Sequence, residues 1–250
     1  MRPAELTRER GYAVLPEVLG QKEINRLAEE LGRSNLPRSR AGVRHAMRIP
    51  AVAEMALGAG LVGIVQEILG EGAFPFRATL FDKSPTANWL VVWHQDTALP
   101  LKERREIAGW GPWSVKDGRH YAHAPASALE QVVALRVHLD DSTSENGPLR
   151  VLPGTHLLGV LSDEEIHDFA ERVAEVECVV PRGGVVAMRP SGPRSGNLCA
   201  KRTRLPVSQS IQNRLTPLEC AVSMRRGMRT LPAPFLAGTG IASQGISPWR

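Results

Sequence analysis

Gln131-Val-Val-Ala-Leu-Arg-Val-His-Leu139 is the stretch that decides the fold. Val133, Leu135, Val137 and Leu139 alternate with Val132, Ala134, Arg136 and His138. Successive side chains of an extended chain point to opposite faces, so this period of two predicts a β-strand. The polar run 140–147 that follows reads as a turn, with Asp140 and Asp141 as turn formers rather than calcium ligands. Beyond it, residues 149–152, 176–180 and 185–188 read as further strands, separated by Pro153-Gly-Thr-His156 and Pro181-Arg-Gly-Gly184. Ser162-Asp-Glu-Glu165 is a capping box opening a short helix to about Val173. Upstream, residues 74–82 and 89–93 read as strands. The earlier part of the chain is helical after a short strand at 11–15. One helix carries Ile24, Leu27, Ala28 and Leu31 on one face, and a second follows Pro50, runs through Leu69 and ends at Gly70. Helices first and many short strands afterwards predict a mainly β fold with N-terminal helices, a double-sheet jelly roll.

At 250 residues the chain suits one domain, divided as residues 1–72 (strand and helices), 73–190 (jelly-roll core) and 191–250 (a basic tail). The net charge of +5 belongs to that tail, which holds nine of the 31 Lys and Arg but one of the 26 acids. The first 190 residues therefore carry 22 basic and 25 acidic side chains. The tail lacks interleaved aromatic residues, so nucleic-acid binding is not expected. Cys178, Cys199 and Cys220 match no metal or disulfide spacing, which with the absence of a signal-like or membrane-spanning run leads to the expectation of a cytoplasmic protein.

The chemistry concentrates at Trp93-His94-Gln95-Asp96, at the end of an apolar run. His94 and Asp96 are two residues apart and project to one side of an extended chain, so both reach one metal ion. Two histidines and a carboxylate on one face of Fe(II) leave three positions open for co-substrate and oxygen. His94 and Asp96 supply two of these three ligands, but no histidine follows His167.

Residues 11–15, Phe81-Asp-Lys83, Trp93-His-Gln-Asp96, Leu135-Arg-Val-His-Leu-Asp-Asp141 and above all Asn146-Gly-Pro-Leu-Arg-Val-Leu-Pro-Gly-Thr-His156 resemble, in order and spacing over roughly 8–190, the phytanoyl-CoA dioxygenase family of Fe(II)- and 2-oxoglutarate-dependent oxygenases. The resemblance implies a double-stranded β-helix (jelly roll, cupin-like), with His94 and Asp96 as iron ligands and Lys83 and Trp113 lining the co-substrate pocket. It implies hydroxylation of a small or lipid-like molecule with release of succinate and CO2. Arg204 or Arg214 is the candidate for the far carboxylate of 2-oxoglutarate, and Gln95 and Trp93 flank the ligands and orient them. The specificity-bearing insert is expected at 97–130.

The pattern breaks at Ser191. Arg194 occupies the place where the family's distal histidine is expected, and an arginine neither loses its proton nor ligates iron. Two accounts cover the change: a shifted reading frame from about residue 191, or divergence to a catalytically impaired, two-ligand form that binds metal or 2-oxoglutarate weakly at most. Loss of tail strands would leave sheet edges uncovered. Among the other histidines, His156 is expected to hydrogen-bond within its loop and His138 to be structural or at the pocket edge. His120 and His123 fall in a lid-like polar insert, and His45 and His167 are expected at the surface. Trp89, Trp93, Trp110 and Trp113 are expected in the core and pocket wall.

Overall fold

A computed structural model describes residues 1–33, 43–82, 91–196 and 218–226. The strand at the centre of the sequence argument is Val132–His138 (β7), in a five-stranded antiparallel sheet with Tyr12–Leu15 (β1), Val185–Met188 (β10), Leu218–Arg226 (β12) and Ala73–Asp82 (β2), in the order β1-β10-β7-β12-β2. Facing it is a four-stranded sheet of Val91–His94 (β3), Arg194–Gly196 (β11), Leu149–Val151 (β8) and Val176–Cys178 (β9), in the order β3-β11-β8-β9. Two such antiparallel sheets form the jelly roll.

The two faces of β7 differ as their residues do. Val133, Leu135 and Val137 pack with Leu80 of β2, Val185 and Ala187 of β10 and Met224 of β12 against the helices. Those helices are Gln21–Arg33 (α2), Pro50–Leu57 (α3) and Ala59–Leu69 (α4), through Ile24, Leu27, Leu31, Val52, Met55, Leu61 and Val65. Full burial of each such aliphatic side chain contributes about 1.5–3 kcal/mol before entropy is counted. The opposite face looks toward the second sheet, where Ala134, Val186 and Met188 meet Leu149, Val151 and Cys178. Arg136 also belongs to this inner face and lines the cavity between the sheets.

The helix expected from Pro50 to Leu69 is two helices, α3 and α4, bent by 50° at the break. Gly58 is at once the C-cap of α3 and the N-cap of α4, in an extended conformation. The apolar pattern continues across the bend because both helices cover one sheet. No single described helix is long and apolar enough to cross a membrane. The capping box at Ser162 forms as expected, with Glu165 N–H donating to Ser162 Oγ and Ser162 N–H to Glu165 Oε2, and opens the helix Asp163–Arg172 (α6).

Three features were not legible beforehand. Pro3–Glu9 (α1) precedes β1, with Ala126–Leu129 (α5) just before β7. Ala98–Leu101 (β4), Trp113–Lys116 (β5) and Arg119–His123 (β6) form a third sheet in the order β4-β6-β5, so the insert containing His120 and His123 is a hairpin rather than a polar loop. The limit of the sheets is not residue 190. β11 lies inside the segment expected to depart from the pattern, yet it pairs with both β3 and β8. β12 begins at Leu218 and pairs with β2 and β7 in the middle of the larger sheet.

Candidate functional site

Strand β3 ends at His94, and the chain then turns so that Asp96 N–H donates to the Pro190 carbonyl oxygen at 3.1 Å. Gln95 points away and fixes this corner. Its Nε2 donates to the Gly159 carbonyl oxygen at 2.8 Å and to the Ser191 carbonyl oxygen, and its Oε1 accepts from Leu161 N–H at 2.8 Å. With Gln95 committed outward, His94 and Asp96 share the inward side, Nε2 to Oδ1 at 4.0 Å. His94 Nδ1–H donates to the Val92 carbonyl oxygen at 2.9 Å, which leaves Nε2 as the lone-pair nitrogen facing the carboxylate. Trp93 lies on the other side, under the Arg150 guanidinium.

Arg194 completes the arrangement. Its Cα pairs with that of His94 across β11 and β3, and with Val151 across β11 and β8. The guanidinium is thereby delivered to Asp96, with Nη2 in an ion pair with Oδ2. The Arg194 side chain is deeply buried, while His94 and Asp96 are partly exposed. Burial alone would raise the Asp96 carboxyl; the Arg194 guanidinium, then Arg77 and His94, outweigh it and hold the group well below the usual carboxylate range. Burial and then the same guanidinium push the His94 ring below its ordinary value, against the opposing pull of Asp96.

These groups border a cavity of about 280 Å³ between the sheets, near the lower end of small-ligand sites at about 300–1,000 Å³. Arg77, Thr79 and Phe81 of β2, Arg136 of β7, Lys116 of β5 and Tyr121 of β6 line it together with Arg44, His94, Asp96, Arg194 and Ser195. Among the described residues, five cationic side chains thus face one carboxylate. Arg136 lies over the Phe81 ring at 5.5 Å, Lys116 over the Tyr121 ring at 5.4 Å, and Arg77 Nη1 donates to the Ala98 carbonyl oxygen at 3.1 Å.

The structure brings His94 and Asp96 together, as their spacing implied. Trp113 is on β5 beside Arg104, 6.0 Å from its guanidinium, and is not among the residues lining the cavity. Lys83, Arg204 and Arg214, the other candidates for the co-substrate, lie outside the described residues, as does Trp89. Arg77 and Arg136 escaped the sequence reading. The signal was present, since each is a charge on the inner face of an otherwise apolar strand. His156 Nε2–H donates to the Arg8 carbonyl oxygen at 3.1 Å, a loop role. His138 is fully buried in β7, and the His123 ring pairs with the Thr97 hydroxyl at 2.7 Å. His167 is exposed as expected, but the side chain of His45, expected at the surface, is only 9% exposed. Its left-handed backbone (φ 56°) turns the ring inward at the start of a 3-10 turn.

The donor set does not fit a three-ligand iron site. Among the described residues no group of three His, Cys, Asp or Glu side chains could hold a metal ion. The third position is filled by a permanent cation already paired with Asp96.

Comparison with known proteins identifies the lineage. The chain is 32% identical over 128 residues to L-proline trans-4-hydroxylase of Streptomyces griseoviridis, an alignment covering 48% of this chain and 40% of that protein. The matched stretch therefore spans well under half of that relative. Among solved structures, EctD from S. alaskensis with 2-oxoglutarate and 5-hydroxyectoine shares the fold with a TM-score of 0.64 at 18% identity, over 94% of this chain and 78% of that one. The epimerase SnoN in complex with Fe3+, alpha ketoglutarate and nogalamycin RO aligns with a TM-score of 0.61 at 16% identity, over 90% and 82% of the two chains. The family model for phytanoyl-CoA dioxygenase matches residues 7–193, three quarters of the chain and all but the end of the cavity-forming strands, and the chain belongs to that family.

Proposed function

We propose that this chain binds a small organic acid in the cavity between its sheets, as a member of an iron- and 2-oxoglutarate-dependent oxygenase family whose own iron site is incomplete. The observation that carries this is the ion pair between Arg194 and Asp96. It neutralises the carboxylate that would otherwise hold Fe(II), and it leaves a cavity rimmed by Arg44, Arg77, Lys116 and Arg136. A surplus of positive charge in a walled site favours an anionic ligand. A small-molecule ligand of the kind handled by its relatives, in a cytoplasmic setting in keeping with a buried Cys178 outside any disulfide, completes the reading.

A second reading is favoured by His94 and Asp96 themselves. They face one cavity, with the His94 tautomer suited to metal. In that reading the chain is an Fe(II)- and 2-oxoglutarate-dependent dioxygenase hydroxylating a small or lipid-like molecule; bound iron would supply the oxidising chemistry, and His94 and Asp96 would hold it. The test is to load the full chain anaerobically with Fe(II) and 2-oxoglutarate, admit oxygen and measure succinate. The binding reading expects no succinate above that of the metal alone. Succinate above that background, lost in His94→Ala, would establish the oxygenase instead.

A further inference from the structure

His156 does not line the cavity, yet it joins three parts of the fold. Its ring packs on Gly11, which has φ +85° and where a Cβ would lie 2.6 Å from Nδ1, so only glycine fits there. His156 Nε2–H donates to the Arg8 carbonyl oxygen at 3.1 Å and Gly154 N–H to the Arg10 carbonyl oxygen at 3.0 Å, so this loop grips the end of α1. On its other side the His156 carbonyl oxygen accepts from the Ser191 hydroxyl at 3.2 Å. The Ser191 carbonyl oxygen in turn accepts from Gln95 Nε2, and the Pro190 carbonyl oxygen accepts from Asp96 N–H. The corner that sets His94 and Asp96 side by side therefore hangs on a turn that His156 holds.

We propose that His156 is a positioning residue, which fastens the end of α1 and, through Ser191 and Gln95, holds the His94–Asp96 corner. This is independent of which ligand the cavity takes, and it makes the corner responsive to acid. With Nε2–H given to Arg8, Nδ1 is the lone-pair nitrogen, buried against Gly11 with no hydrogen-bond partner among the described residues. A second proton on the ring would be a buried donor without an acceptor, which folding disfavours. Burial lowers the ring below its ordinary value, the Arg8 carbonyl opposes this, and Arg189 adds to the lowering. The α1 side brings Arg8, Glu9 and Arg10, with Glu9 paired to Arg8. Folding thus favours the neutral ring: the clasp is whole above the ordinary histidine value of about 6.5 and weakens as pH falls below it.

Coupling along such a chain of contacts is established only by perturbing its links. Amide hydrogen exchange of the full chain, corrected for the intrinsic effect of pH, reads the corner at Asp96 and at Leu161, whose N–H donates to Gln95 Oε1. Gly154 reports the clasp, and Leu135 in β7 reports the whole fold. The expected result is at least about a threefold loss of protection at Asp96, Leu161 and Gly154 relative to Leu135 between about pH 7.5 and about pH 5.5. Ser191→Ala cuts the link, so the response should remain at Gly154 and vanish at Asp96 and Leu161. His156→Leu should speed exchange at Asp96 and Leu161 by about tenfold, the loss of about one hydrogen bond, with less than about threefold at Leu135 and no remaining pH response. Equal loss at all four amides would be a merely structural effect and would overturn the proposal. So would a response confined to Gly154 in the wild type, or a pH response at Asp96 that survives in either variant and so belongs to the His94 ring, which is also held below its ordinary value. Where His156→Leu fails to fold, the wild type and Ser191→Ala decide.

Discussion

Deleting either partner of the Arg194–Asp96 pair should destabilise the protein, and unequally. Asp96→Ala leaves the guanidinium buried at 5% exposure beside Arg77 and Arg136 with its one carboxylate gone. Removing one partner of a buried pair costs about 3–5 kcal/mol, while exposed pairs are worth about 0–1 kcal/mol. The Asp96 side chain is 45% exposed, so water reaches this pair and the discounted cost is about 2–3 kcal/mol. Arg194→Met removes the buried cation instead, keeps most of its volume, and leaves Asp96 half in water with Arg77 nearby; its cost should be about 1 kcal/mol or less. Urea unfolding at neutral pH followed by tryptophan fluorescence measures both, with the slope on denaturant checked for constancy. A domain of this size shifts its Tm by about 2–4 °C per kcal/mol, so Asp96→Ala should melt about 4–12 °C below the wild type. Equal stability of Asp96→Ala and wild type would refute the pairing, and so would a larger loss for Arg194→Met than for Asp96→Ala.

Other perturbations test the scaffold that places the site. Gly183 has φ +86°, and a Cβ there would lie 2.6 Å from the Leu19 carbonyl oxygen; Gly183→Ala should cost about 2 kcal/mol or more in urea unfolding, and a neutral result would refute that turn geometry. Leu135 is fully buried between β7 and the helices, so Leu135→Ala should lose about 2–5 kcal/mol through the cavity it leaves. Ser162→Ala removes the acceptor for Glu165 N–H at the start of α6 and should cost about 0.5–2 kcal/mol. A smaller loss in Ser162→Gly than in Ser162→Ala would fit a cap; the reverse order would not.

Helices α2, α3, α4 and α6 and strands β1, β2, β7 and β10 of the larger sheet were readable because each buries one face in a single chemical environment, so the burial pattern is written in the local period. β7 shows how far this goes: its alternation marked a strand with two chemically different faces, while which face meets the helices and which the cavity came only with the structure. The third sheet was not readable. β5 and β6 carry Lys116, Arg119, His120 and His123, and a polar hairpin over a cavity has no alternation of buried and exposed residues to reveal it. β11 was hidden for another reason. Arg194-Ser-Gly196 has neither strand propensity nor an apolar residue, and it is extended because β3 on one side and β8 on the other offer it both edges.

By itself the sequence determined the family, the jelly roll behind a helical layer, the His94–Asp96 pair and the absence of a later histidine, since each of these depends on residue type and short-range spacing. The tertiary structure alone decided what fills the histidine's place. Whether an arginine at 194 points to solvent or into the cavity depends on strand register between segments a hundred residues apart, and a shift of one residue would have turned it to the other face. The register observed sets Arg194 opposite His94 and its guanidinium on Asp96, so a permanent cation stands where the family pattern leads one to expect a histidine.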